Sequence, residues 1–180
     1  MRVIAGALGG RRLKAPRGTV TRPTSDRVRE ALFAALGEIA GARVLDLFAG
    51  SGALGIEALS RGAQRAVFVE RDARAAAVLR ENLTALSIGS EHAELRRAEV
   101  LRALQSARER AETYDLCFID PPYRQASDLG RALSTLLPPL LEAQARIVVE
   151  SDWRAPLHLQ AQLERERRYG DTLIKIYRHP

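Results

Sequence analysis

The chain of 180 residues has one cysteine, one methionine and one tryptophan, and aromatic side chains make up only 5% of it. A lone cysteine excludes an intrachain disulfide. Cys117 sits in the apolar run Tyr114-Asp115-Leu116-Cys117-Phe118-Ile119, where a thiol behaves as a small hydrophobe. No apolar run reaches the roughly 20 residues of a membrane span, and the charged first residues lead into no apolar h-region of a secretory signal. Cytoplasmic residence without membrane contact is therefore expected. His92, His158 and His179 are too scattered for a metal-ligand set, so no metal is expected, and no Ser/His/Asp or Cys/His arrangement points to a hydrolase. Repeats, low-complexity tracts and interdomain linkers are also missing.

What is present suits one domain with a sizeable core: 46% of the residues are hydrophobic. The net charge of +6 is unevenly placed. Residues 1–29 carry eight basic side chains and one acid, a charge of +7, and the remaining 20 basic and 21 acidic residues give −1. A basic, Gly-rich arm on a near-neutral domain is a phosphate-binding footprint; a solvated terminus is the plainer alternative. Residues 1–22 are read as an arm or small hairpin, and residues 23–180 as the domain.

Pro23-Thr24-Ser25-Asp26 predicts a helix start, with Thr24 or Ser25 as N-cap. Val28, Ala31, Leu32, Ala35, Leu36 and Ile39 form its apolar stripe, and Gly41 is expected to close it. Strands are then predicted over 43–48, 66–70, 94–97, 114–119, 145–150, 164–169 and 172–178, and helices over 53–61, 72–86, 99–111 and 127–137. Such alternation implies an α/β fold, with a mostly parallel seven-stranded sheet covered by helices on both faces. Ligands in these sheets bind at the carboxyl ends of the strands.

Two motifs fall at such ends. Gly50, Gly52 and Gly55 follow the first strand with G-x-G-x-x-G spacing, which lets backbone approach a ligand at a helix N-terminus. Glu70, 20 residues beyond Gly50, suits ribose hydroxyls. A nicotinamide dinucleotide would satisfy both. Asp46 argues against it, because a carboxylate there repels a pyrophosphate and suits the ammonium and sulfonium end of S-adenosylmethionine. Asp46 could equally cap the glycine loop, Gly55 could serve only helix–sheet packing, and Glu70 could be a surface carboxylate.

The second motif is Asp120-Pro121-Pro122-Tyr123. Asp120 can accept hydrogen bonds from an NH2 group, and the prolines present carbonyls without competing N–H donors. Tyr123 offers a face on which a base can stack. Together they suit methylation of an exocyclic amine, whose lone pair is delocalised until its hydrogens are gripped. The alternative is an ordinary Pro-rich turn. Trp153 is expected to be a packing residue.

The chain resembles the 16S rRNA guanine-N2 methyltransferases of the RsmD type. The resemblance rests on Arg22-Pro23-Thr24-Ser25-Asp26-Arg27-Val28-Arg29-Glu30-Ala31-Leu32-Phe33, on the segment Asp46–Gly55 and on Asp120–Tyr123, with further similarity at residues 1–6, 10–13 and 169–172. It implies a Rossmann-like class I fold and methyl transfer from S-adenosylmethionine to guanine N2 in 16S rRNA, within an assembling small ribosomal subunit and by a monomer. Asp46, Phe48, Gly50, Gly52, Glu70, Arg71, Glu99 and Asp120 are then cofactor residues, with backbone N–H groups as the alternative to Glu99 at the adenine. Asp120, Pro121 and Tyr123 are catalytic. Arg11, Arg12, Lys14, Arg22, Thr24 and Arg27 meet RNA. Competing readings are adenine-N6 methylation of DNA or RNA, glutamine methylation of a protein, an NAD-dependent oxidoreductase and a non-catalytic RNA-binding module.

Overall fold

Strand β1, Arg43–Leu47, lies between β2 (Arg65–Val69) and β4 (Tyr114–Ile119), all parallel. We describe a computed structural model covering residues 1–16, 25–122 and 126–180. Seven strands form one sheet in the order β3-β2-β1-β4-β5-β7-β6, with β3 at Ala93–Arg96, β5 at Leu141–Asp152, β6 at Gln162–Tyr169 and β7 at Thr172–Arg178. The first five are mutually parallel, whereas β7 runs antiparallel to both β5 and β6. The chain winds outward from β1 through β2 to β3, then returns to place β4 on the other side of β1. The carboxyl edge between β1 and β4 is therefore the switch point where a crevice opens. The edge strand β6 is exposed along its length and carries Glu164, Arg165, Glu166, Arg167 and Arg168, a charge pattern that discourages edge pairing.

Helices cover both faces. Helices α1 (Asp26–Leu36), α2 (Ala53–Ser60) and α3 (Ala73–Ala85) share one core with Val44, Phe68, Phe118, Val148 and Ile176. Helices α4 (Val100–Glu109) and α5 (Ala126–Leu136) share the other with Leu45, Leu47, Val69, Ile119 and Val149. Neighbouring residues of one strand thus feed opposite cores, each large apolar side chain contributing about 1.5–3 kcal/mol by burial.

The predicted elements form, with most limits within two residues of those expected, but α1 and β5 depart further. Ser25 caps α1 by accepting from Val28 N, but the helix ends at Leu36, where Gly37 N–H bonds Phe33 O. Ile39 is buried in the loop beyond and only mimics a further helical turn. The buried face of α1 is Val28, Arg29, Leu32, Phe33 and Leu36, so it is rotated to bring Arg29 and Phe33 inward, leaving Ala31 and Ala35 half-buried at its edge. Strand β5 is longer than residues 145–150, because a bulge with Gln144 at φ 65° lets Leu141 rejoin β4 at Tyr114.

Residues 1–16 are not a free arm. Arg2 and Arg12 bridge antiparallel, and Val3 and Leu13 enter the α1–α3 core. Buried polar side chains hold the backbone of this hairpin. Glu57 accepts from Ile4 N at 2.7 Å and Ala5 N at 3.1 Å, and Leu8 N donates to Ser60 Oγ at 3.0 Å. Asn82 receives Lys14 N at 2.8 Å and donates to Lys14 O at 3.0 Å and to Ser51 O at 2.9 Å, tying the hairpin to the glycine loop. The expected boundary at residues 22–23 lies outside the described residues.

Candidate active site

The carboxyl ends of β1, β2 and β4 open into a cleft of about 320 Å³. Phe48, which leaves β1, has φ 62°, a strained conformation for a bulky residue. It bends the chain into the loop preceding α2. Gly50 lies on the cleft wall, and its N–H donates to Glu70 Oε2 at 2.8 Å. The other oxygen of Glu70 receives Asp72 N at 2.7 Å, so this carboxylate fixes both the glycine loop and the start of α3 while it faces the cleft.

Gly52 does not line the cleft. A Cβ there would lie 2.2 Å from Leu79 Cδ1, and φ is 83°, so glycine is needed where the loop packs on α3. A Cβ at Gly55 would meet the Phe68 ring at 2.3 Å, a helix–sheet packing constraint. Of the three motif glycines, Gly50 alone is on the cleft wall.

Asp46 is 2% exposed, borders the cleft and accepts from Gly55 N at 2.9 Å. Burial raises its pKa to about 7; the Gly55 N–H opposes this, and the charge of Glu70 adds to it. It therefore caps the loop and still presents a carboxyl group to the ligand space. Asp120 follows β4 on the same face of the sheet and also borders the cleft. Burial, then Glu150, then Asp46, hold its carboxyl well above the usual range. A cation brought into this space would relieve Asp46 and Asp120.

The other expected residues are placed as follows. Phe48, Arg71, Glu99 and Pro121 border the cleft, with Arg71 Nη1 and Glu99 Oε1 paired at 3.0 Å on its exposed rim. Tyr123, Arg22 and Thr24 lie outside the described residues. Arg27 is exposed on α1; Arg11, Arg12 and Lys14 are exposed on the hairpin, where Lys14 pairs with Glu81 at 2.7 Å and Arg11 donates to Ala85 O at 3.0 Å. Trp153 packs at the surface and not in the core: it follows β5, is 37% exposed, and has the guanidinium groups of Arg168 and Arg154 over its ring at 3.8 and 5.0 Å.

Sequence reasoning missed part of the wall. Met1, Ala15, Pro16 and Arg29 also border the cleft. The overlooked signal for Arg29 was a charged residue four before Phe33, on the helix stripe that faces the sheet.

The family model described as conserved hypothetical protein 95 matches residues 1–178. The chain belongs to this family. It is 42% identical to a putative rRNA methyltransferase, YlbH, of Bacillus subtilis, over 99% of this chain and 98% of the relative. It is 36% identical to ribosomal RNA small subunit methyltransferase D of Haemophilus influenzae, over 99% and 94%. Among solved structures it is similar to the putative methyltransferase yhhF of Escherichia coli, with TM-score 0.82 and 36% identity over 99% and 97% of the two chains. It is also similar to a hypothetical protein of Thermus thermophilus, with TM-score 0.85 and 32% identity over 98% of each chain. The family match and these likenesses span the hairpin as well as the sheet.

Proposed function

We propose that this family member is an S-adenosylmethionine-dependent methyltransferase that modifies the exocyclic N2 amine of a guanine in 16S rRNA. The observation that carries the proposal is the convergence of Gly50, Glu70, Asp46, Asp120 and Pro121 on one cleft at the switch point. The residues fit this cofactor. The volume suits a nucleoside-sized ligand, and Asp46 and Glu70 make the glycine-loop side acidic. That charge favours a sulfonium and an ammonium and disfavours a dinucleotide pyrophosphate. The names of the B. subtilis and H. influenzae relatives, both rRNA methyltransferases, support the same substrate class.

S-adenosylmethionine supplies, when bound, a methyl group made electrophilic by its sulfonium. The protein supplies the rest. Glu70, already fixed by Gly50 N and Asp72 N, keeps acceptor capacity for ribose hydroxyls. Asp46 offers a negative charge to the amino-acid end. Glu99 serves the adenine side, with neighbouring backbone N–H groups as the alternative. Asp120 accepts hydrogen bonds from the target NH2, with the Pro121 carbonyl as second acceptor, and this localises the nitrogen lone pair. The nitrogen becomes acidic only once its new bond forms, so no strong base is required. Tyr123 stacks on the base. Arg11, Arg12, Lys14, Arg22, Thr24 and Arg27 hold the RNA backbone. The substrate is 16S rRNA in an assembling small subunit, and the protein acts as a monomer in the cytoplasm.

Incubation of unmodified 16S rRNA or 30S precursors with the protein and methyl-labelled cofactor, followed by nucleoside mass analysis, tests this reading. N2-methylguanosine is expected. N6-methyladenosine would move the assignment to adenine. Absence of any labelled nucleoside with both substrates, despite cofactor binding, would refute RNA as the acceptor.

A further inference from the structure

Arg29 has no role in the mechanism above, yet it is fully buried at 0% exposure and borders the cleft. Its Nη2 is spent on two acceptors: Arg2 O at 2.5 Å and Asp26 Oδ1 at 2.8 Å. Its Nε and Nη1 are buried without a hydrogen-bond partner among the described residues. A guanidinium carries five N–H donors and stays charged in proteins, so leaving donors unpaired in the interior is costly. Its ion-pair partner among the described residues, Asp26, is half-exposed and shared with Arg2. The side chain is clamped in place and short of acceptors, and the space it borders is the cleft.

We propose that the unspent donors of Arg29 receive the α-carboxylate of the methionine moiety of S-adenosylmethionine. This rests on the reading of the cleft as the site of that cofactor. An α-amino acid end is a zwitterion with its two charges a few ångströms apart. The same cleft presents Asp46 as an anion for the ammonium and Arg29 as a cation for the carboxylate. The two protein groups form no ion pair with each other, so the pairing is left for the ligand. A neutral guanine edge would not neutralise a desolvated guanidinium, and an RNA phosphate belongs to the strand outside the cleft. Because the donors are closed off from bulk water, the carboxylate reaches them only by entering the cleft and shifting its wall. Arg29 thus acts as a cofactor-positioning residue.

The test is calorimetry on the full chain with two nucleosides: S-adenosylhomocysteine, and its decarboxylated analogue, which keeps the amine and thioether but lacks the carboxylate. The wild type is expected to bind S-adenosylhomocysteine about 10- to 100-fold more tightly, as for a charge-assisted contact in a shielded site. Arg29→Gln should abolish that preference by weakening only the carboxylate-bearing ligand. Arg29→Lys, which keeps the charge and most of the stem, should retain part of it and serves if the glutamine variant does not fold. Equal binding of the two ligands by the wild type would overturn the proposal, as would an unchanged preference in the variants. Equal weakening of both ligands would make Arg29 structural only, and a loss confined to RNA affinity would assign it to the substrate. Failure of the wild type to bind either nucleoside would refute the cofactor reading itself, a result distinct from all of these.

Discussion

The two walls of the cleft are built differently. One is built at strand ends: Asp46 lies near the carboxyl end of β1, and Gly50, Glu70 and Asp120 follow parallel strands, so the sheet brings them together. The other consists of Met1, Ala15, Pro16 and Arg29, from a hairpin and a helix outside the sheet. These are held by buried polar anchors, namely Glu57 and Ser60 on α2 and Asn82 on α3. The first wall is robust because register and crossover connections fix it. The second depends on a few hydrogen bonds whose loss leaves buried groups unpaired.

The largest effect should come from deleting residues 1–16. That removes Val3 and Leu13 from the core and takes from Glu57 the N–H donors of Ile4 and Ala5, leaving it paired with Arg61 at 2.7 Å. Each buried apolar side chain is worth about 1.5–3 kcal/mol, and each lost hydrogen bond to a charged group about 1.5–3 kcal/mol, against a total stability of about 5–15 kcal/mol. Thermal unfolding followed by circular dichroism should show loss of the cooperative transition. An unchanged midpoint would mean that the segment is an arm after all and that the two walls do not depend on each other.

A pH dependence is expected next, from the strand-end wall. The Asp46 pKa of about 7 lies above its unfolded value near 3.8, so the folded state binds the extra proton between them. Its stabilising contribution is full below about pH 4 and is lost as pH rises through 7, by up to about 4 kcal/mol. Asp120, shifted in the same direction, adds to the slope. Without cofactor, the denaturation midpoint should therefore fall from pH 5 to pH 8, and Asp46→Asn should flatten the fall. Cofactor binding should release protons near neutral pH, as calorimetry in buffers of different ionisation enthalpy would detect. A flat profile would mean that Asp46 stays ionised throughout.

Glu70→Ala should have the smallest effect, weakening S-adenosylhomocysteine by roughly 1–3 kcal/mol. It removes acceptors for the ribose and for Gly50 N. A larger loss, together with a lowered melting point, would show that its structural role in the loop outweighs its contact with the ligand.

The same contrast governs what could be read from the sequence. Strand ends were legible because buried strands are short apolar runs and the chemistry follows directly after them, as Asp120 follows Ile119. Packing roles were less so. The spacing of Gly52 suggests a ligand, while its missing Cβ makes room for Leu79, a contact between distant residues. Gly41 suggests a helix end, but Gly37 takes that role. The charge count left residues 1–22 as a basic arm or a small hairpin, because nothing local marks Glu57, Ser60 and Asn82 as anchors 50 or more residues away. Arg29 read as one more arm charge until α1 rotated it inward.

The central claim is that Asp120 grips the amine that accepts the methyl group. Single-turnover methyl transfer to 16S rRNA by Asp120→Ala, measured beside its affinity for S-adenosylhomocysteine, tests it most directly. Methyl transfer is expected to slow by about 10²–10³-fold, the effect of losing one preorganised electrostatic contact. Cofactor affinity should stay near wild type, and Asp120→Asn, which keeps an acceptor oxygen, should be less impaired. Normal turnover by both variants at saturating RNA would contradict the account.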